Sequence, residues 1–503
     1  MITLNSFRML KKLSVKHLRV EPKKVKASYI VEKISGETTS YDLIYSYEKA
    51  YFNKKSYEDI NLASMMLAQV ALNYGLFCET ISFDGIYDKT DQQFILDMME
   101  NTSREILTNK LLVKNEFLKP PFDTLQTEKR KKYTQAKVVF SNTQFDDLKT
   151  VKNKVETNFK KYAILSSGGK DSLLTYGIIK EIADPYPVFI NESGRHWFTA
   201  FNAYRYYKNT EPNTEKPWCN SDRLFNWMLD QLPFIKENYA SIRADIYPIR
   251  LWTVAVFLFG VLPIARKKGI GNILIGDEYD TTVKGNLGGI SHYNAIYDQS
   301  KYFDNALTRY YLKKGWNMYQ YSILRSLSEL LIMKILIKRY PELQKHQVSC
   351  HMAHKVNDRM YPCGKCEKCR RIIGMIKALD ENPEWCGYNE AQIANGLLAL
   401  STKSVKQIGS DAAQLYFMLL NKKLLNNNEF TRKVAKNHPE IMKLRFDEER
   451  SNLEDLPQHV RTPLFKILVN YVDGAVQRVN NKWIDIELND EFLSKTKYKF
   501  NER

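Results

Sequence analysis

The rhythm of apolar and polar positions changes as the chain proceeds. Over residues 26–34 and 38–47 apolar side chains alternate with polar ones, and Gly36 divides the two runs, which predicts a β-hairpin. Beyond it the spacing predicts a helix over 61–76, a strand over 79–83 and one long or two short helices over 89–112. Residues 117–137, with Pro120, Pro121 and a basic run, read as a linker. From residue 161 short apolar runs alternate with helical patterns. Strands are expected over 162–165, 187–190, 244–247 and 272–275, with a helix through Ile182 after the first, an apolar helix over 251–265 and another helix over 326–339. Such alternation predicts an α/β domain, a parallel doubly wound sheet covered on both faces. The aromatic stretch 198–240 is an insertion and a candidate roof for the strand tips. After residue 387 helices are expected over 391–400, 410–420, 438–446 and 463–472, then a strand over 483–488. The chain thus divides into an α+β N-terminal region (1–150), an α/β domain (151–345), a cysteine module (346–386) and a mainly helical region (387–503).

Composition narrows the class. With 44% hydrophobic and 26% charged residues among 503, the chain has ample core for several globular domains. The longest apolar run, 251–265, is too short for a bilayer and sits between Arg250 and Arg266, so no membrane partner is expected. Residues 1–13 are basic but lack the apolar centre of a secretory leader, and four of seven cysteines are clustered; both suit a reducing cytoplasm. Lys and Arg (75) exceed Asp and Glu (57), for a net charge of +18. A nucleic acid is therefore a candidate partner, although none of the clusters, at Lys11 and Lys12, at 129–132 or at Lys160 and Lys161, is interleaved with aromatics.

The chemistry concentrates where the first strand of the α/β domain ends, at Ser166, Ser167, Gly168, Gly169, Lys170, Asp171 and Ser172, directly before a helix. Adjacent glycines permit a tight bend and close approach of a ligand, and the amides and positive dipole end of the helix attract an anion. The pattern GxxxxGK[ST] is absent, so a Walker-type nucleotide loop is not expected. In open α/β sheets ligands bind at the carboxyl ends of strands. Residues 191–196, ending Gly194, Arg195 and His196, then Pro248 to Arg250, then Gly276 to Asp280, should therefore converge on the same crevice. A second cluster, Cys350, Cys363, Cys366 and Cys369, has the spacing C-x12-C-x2-C-x2-C, with Gly364 helping the chain to loop. Four thiolates suit a structural Zn²⁺, while the spacing leaves an iron–sulfur centre open. Cys78, Cys219 and Cys386 are isolated and read as structural, and His351 and His354 are not needed as ligands.

Serine, two glycines, aspartate and serine after a strand resemble the SGGxDS signature of the PP-loop ATP pyrophosphatases. The resemblance implies ATP and Mg²⁺ as cofactors, cleavage between the α and β phosphates, and transfer of AMP to an oxygen that a nucleophile later displaces. Ser167, Gly168, Gly169 and Ser172 would hold the departing pyrophosphate and Asp171 would orient Mg²⁺. Lys170 is a candidate phosphate contact, with a solvated lysine as the alternative. Together with a lone cysteine and CGxCxxC about 180 residues later, the loop narrows the resemblance to 7-cyano-7-deazaguanine synthases (QueC) over about residues 161–380. Gly194, Arg195 and His196 are similar to that family's GQRH, Pro248 and Arg250 to its PxRN, Gly276 and Asp280 to its fourth strand tip, and Ser349 and Cys350 to its SC. Leu251 stands where the family has asparagine, and Tyr297, Asp298 and Ser300 echo its YPDC without the cysteine. The long extensions are similar to those of QueC-like proteins in anti-phage operons such as Qat and one class of CBASS. The resemblance implies an AMP-forming carbon–nitrogen ligase acting on a small carboxylate of the deazapurine type, with ammonia or an amino group of a protein partner from the same operon as acceptor. A PP-loop tRNA-modifying enzyme and a non-catalytic ATP-binding assembly component are the alternatives.

Overall fold

The computed structural model describes residues 2–141, 156–192, 194–242, 247–294, 296–407 and 409–500. Three antiparallel strands open the fold: β1 (Leu10–Glu21), β2 (Lys24–Lys33) and β3 (Thr38–Ser46). On β2 Val25, Ala27, Tyr29 and Val31 are buried and their neighbours less so, as the alternation requires. Helix α1 (Tyr57–Ala68) leads to β4 (Cys78–Asp84), parallel to β1, and helix α2 (Lys89–Ile106) precedes β5 (Lys137–Ser141) at the sheet edge. Strand β1 was not expected from the sequence. Its pairing register shifts between Lys16 and Arg19, where His17 takes φ 56°, and that irregularity breaks the simple alternation. The presumed linker is docked: Gln135 Nε2 donates to the Leu4 and Leu76 carbonyls (2.9 and 2.7 Å), and the amides of Tyr133 and Thr134 donate to Glu100 (2.8 and 2.9 Å).

The second half of the architecture runs β6 (Asn158–Leu165), α3 (Lys170–Ile182), β7 (Asp184–Val188), α4 (Arg195–Thr210), β8 (Trp218–Cys219), α5 (Ser221–Asp230), α6 (Val254–Lys267) and β9 (Ile270–Leu274). A hairpin, β10 (Gly285–Leu287) and β11 (Ile290–His292), then helix α7 (Lys301–Lys313), strand β12 (Tyr319–Tyr321) and helix α8 (Glu329–Arg339) follow. Strands β12, β9, β6 and β7 form, in that order, a wholly parallel sheet. The chain passes from β6 outward to β7 and then crosses back to β9, so the strand order reverses between β6 and β9. Their carboxyl ends flank the crevice where open sheets bind ligands. Alternation along β6 and β9 sends Ala163 and Ile273 into the core shared with α6, and Tyr162, Ile164 and Leu274 into the core shared with α3 and α8. The strand expected over 244–247 falls mainly on 243–246, outside the described residues.

The insertion does more than roof a pocket. Strand β8 pairs with β3 as the sixth strand of the N-terminal sheet. Tyr45 and Tyr47 hydroxyls donate to the Val256 and Gly260 carbonyls of α6 (2.9 Å each), and one apolar core extends from Leu4 to Met318. Residues 1–141 and the parallel sheet therefore share their interior. Near the C-terminus, helices Glu390–Leu400 and Gly409–Asn421 match expectation, as does strand Lys482–Ile486, while the helix expected over 463–472 begins five residues earlier and spans Gln458–Leu468. The helix expected over 438–446 is instead a 3-10 turn, Pro439–Met442, followed by strand Leu444–Phe446, which pairs with Ala475–Val479. Arg445, which imitates a polar helix position, is buried beside Asp411 (3.3 Å) with its guanidinium over Tyr279 (3.9 Å from the ring centroid). No helix among the described residues is long and apolar enough to cross a membrane.

Candidate nucleotide and metal sites

Strand β6 ends on a bend that turns directly into α3. Gly168 takes φ 75°, and a Cβ there would stand 2.3 Å from the Thr199 carbonyl, so only glycine fits beneath α4. Gly169 occupies the N-cap position, and no side chain caps the helix. The first backbone bond across this end is Leu173 N to Gly169 O (3.1 Å), so the amides of Lys170, Asp171 and Ser172 are not spent within the helix. Ser172 Oγ accepts from Ser167 N (3.3 Å) and donates to Gly169 O (3.1 Å), which fixes the bend. At Gly276 an added Cβ would lie 2.8 Å from the Asp171 carbonyl carbon, so the tip of β9 presses on the start of α3.

The cavity at these strand ends measures about 390 Å³. Ser167, Asp171, Ser172, His196 and Gly276 line it together with Arg250, Asp277 and Asp298, all singled out by sequence, joined by Tyr247. Of the other expected members, Gly168 and Gly169 shape the bend without lining the cavity, and three more stand elsewhere or outside the described side chains. Lys170 does not line the cavity: it is buried in ion pairs with Asp171 (2.6 Å), Glu329 (3.1 Å) and Glu278 (3.4 Å). Burial alone would lower its pKa, but the carboxylates of Asp171, Glu278 and Glu329 hold it above the usual lysine value. It is not the solvated lysine of the sequence reading: it is buried among carboxylates that it holds together. Asp280 turns to the C-terminal region, 3.9 Å from Arg445. Arg195 begins α4, and its side chain lies outside the described ones.

Opposite the bend, Arg250 is pinned to Asp222 (2.9 Å) and sandwiched between the rings of Tyr247 (3.7 Å) and Phe225 (4.7 Å). Glu192 is buried behind it with neither carboxylate oxygen hydrogen-bonded. Burial pushes its pKa up to about 7, with Asp222 adding to the rise and Arg250 opposing it. His196 bonds the Tyr247 hydroxyl and packs edge-on against His351 (4.7 Å between centroids). Burial, aided by Arg250 and Lys368, lowers its pKa to about 4, so the ring is neutral at neutral pH. Asp298 accepts from the amides of Thr253 (2.9 Å) and Val254 (2.8 Å) at the start of α6, and Ser300 Oγ accepts from Phe303 N (3.3 Å). Asp298 and Ser300 of the degenerate YPDC-like segment thus cap helices, while Tyr297 is buried in the apolar core. Glu329 was absent from the sequence-based site, and Glu278, expected at the fourth strand tip, serves Lys170. A side chain that serves a buried lysine from 100 or more residues away leaves no local pattern, as the 108-residue separation of Lys170 and Glu278 illustrates.

The four clustered cysteines converge, with sulfurs all within 4.8 Å of one another. Separations of 3.5 Å (Cys366–Cys369), 3.6 Å (Cys366–Cys350) and 3.7 Å (Cys363–Cys369) match the edge of about 3.8 Å that a tetrahedron of metal–sulfur bonds of about 2.3 Å requires. So compact a set can hold one ion such as zinc. The amides of Lys365 and Cys366 point at Cys363 Sγ (3.4 Å each), and Gly364 takes φ 70° to make that turn. Just before Cys350, Val348 N donates to Gly168 O (3.2 Å), so the cysteine module is bonded to the bend.

No known family profile matches the chain, and no curated protein matches it.

Proposed function

We propose that the protein is an ATP-dependent, AMP-forming ligase that activates a small carboxylate of the deazapurine type and joins it to ammonia or a protein amino group. The observation that carries this reading is the uncapped start of α3, with its two-glycine bend opening on a 390 Å³ cavity at the reversal point of a parallel sheet. That arrangement suits an anion held by backbone amides, and the SGGxDS-like residues make pyrophosphate the fitting anion. ATP would lie with its β and γ phosphates against Ser167, Gly168, Gly169 and Ser172. The carboxylates of Asp171 and Glu278 beside a phosphate site would repel it unless a cation intervenes, and Mg²⁺ held there would neutralise the transferring phosphates. The neighbouring Lys170 fixes both carboxylates through one ammonium group. Zn²⁺ on the four cysteines would have a structural role, holding Val348 against the bend.

Within the cavity the apolar side chains of Ile190, Leu251, Val254 and Phe257 suit a flat heterocycle, and Arg250 suits the carboxylate to be activated. Bringing that carboxylate in line with the α phosphate, while excluding water, is the work this chain's residues would do. The test is incubation with ATP, Mg²⁺, 7-carboxy-7-deazaguanine and ammonium or amine donors. Carboxylate-dependent AMP and pyrophosphate are expected from the wild type, with a loss of about 10²-fold or more in Asp171→Asn and Ser172→Ala. Release of ADP, or equal AMP from those variants, would reject the reading.

A further inference from the structure

One carboxylate at the cavity keeps an oxygen without a hydrogen bond. Asp277, at the tip of β9, is 1% exposed and lines the cavity, yet its Oδ2 has no hydrogen-bond partner. The nearest cation, Arg325, stays 3.6 Å away because its own donors are taken by Thr281, Thr282, the Gln299 carbonyl and Asp304. Arg325 therefore compensates charge without satisfying the oxygen. The Asp277 backbone is clamped from both sides: its amide meets Ser322 Oγ (3.1 Å), and the same hydroxyl donates to its carbonyl (2.7 Å). Gly276, the preceding residue, abuts Asp171, so Asp277 is held next to the proposed activation site. Burial raises its pKa well above the usual carboxylate value; Arg325 opposes the rise and Asp304, Asp298 and Asp171 add to it. Buried acceptors without donors are rare because each is costly, and one carried by a residue that lines a cavity can take a hydrogen from a ligand.

We propose that Asp277 receives the acyl acceptor as an ammonium group and takes its proton. This rests on the ligase reading above. With the ammonium group against it Asp277 is ionised, and its carboxylate removes one proton from that nitrogen, whose freed lone pair forms the C–N bond at the acyl carbon. The bond between that carbon and the adenylate oxygen breaks, AMP leaves with its electron pair, and the second nitrogen proton passes to water. Asp277 thus has no part in making the adenylate, only in consuming it.

The two half-reactions separate the roles. With 7-carboxy-7-deazaguanine, wild type and Asp277→Asn should both catalyse carboxylate-dependent exchange of pyrophosphate into ATP, which also shows that the variant is folded. Amide formation from ammonium should fall about 10²–10⁴-fold in the variant. Hydroxylamine, already unprotonated at neutral pH, should restore product formation to near the wild-type rate. Exchange lost together with ligation, or no rescue by hydroxylamine, would overturn the role of Asp277 while leaving the ligase reading intact. Absence of exchange in the wild type would remove both.

Discussion

The two sides of the cavity are built in different ways. On one side, consecutive residues 166–172 supply amides, a hydroxyl and a helix terminus, and the geometry is set by two glycines and Ser172. On the other, Tyr247 with Arg250, His196 and Asp298 come from three separate segments, and their placement depends on distant supports. The amides of Leu251 and Trp252 both donate to Asn73 Oδ1 (2.9 Å each), a residue that follows α1. A backbone cradle is tolerant of what surrounds it, whereas a wall of side chains inherits its shape from the whole fold.

That contrast can be broken or sharpened by substitution. The largest effect should follow from Cys369→Ser or from chelation, because a structural four-cysteine metal site is worth on the order of 10 kcal/mol. Loss of bound zinc by elemental analysis should coincide with a sharply lower melting temperature and loss of nucleotide binding, since Val348 ties the module to Gly168. Unchanged nucleotide affinity in metal-free protein would show that the cradle stands without this support.

Next comes Lys170→Met, which strands three carboxylates and should destabilise by about 3–5 kcal/mol in urea unfolding, with partial recovery in Lys170→Arg. A neutral result would mean that Lys170 is not the organiser described above.

On the wall, Glu192→Gln probes pH. The folded pKa of Glu192, about 7, lies above its ordinary 4.5, so the folded state keeps a proton that the unfolded chain has released. Its penalty is absent below about pH 4.5, grows as pH rises and is complete above about pH 7, where it reaches about 3 kcal/mol. The variant should therefore gain stability over wild type at pH 8 but not at pH 4.5, as read from denaturation midpoints at both pH values. A gap independent of pH would contradict the buried, unpaired carboxyl.

The smallest effect is Ser300→Ala. If Ser300 is a helix cap and not a substrate residue, stability falls by about 1 kcal/mol while AMP formation is unchanged.

Much of the cradle was legible in the sequence because its chemistry is local. The strand stop at Leu165, the glycine pair and the amphipathic helix lie within a few turns of one another, and the cysteine spacing brings four sulfurs together as read. Lys170 shows the limit: its sequence neighbours suggest phosphate, but Glu278 and Glu329, remote in sequence, pull it inward. Strand β1 was hidden by the bulge at His17, and the strand at Leu444–Phe446 by a buried arginine that reads as a surface position. The role of β8 in the N-terminal sheet depends on a pairing across more than 170 residues, with Tyr45 opposite Cys219, which periodicity does not encode.

The central claim is most directly tested by a crystal structure with Mg²⁺ and an ATP analogue whose α–β bridge cannot be hydrolysed. The β and γ phosphates should be bound by the amides and hydroxyls of Ser167, Gly168, Gly169 and Ser172, with the metal at Asp171. A triphosphate bound elsewhere, with that bend empty, would contradict the account.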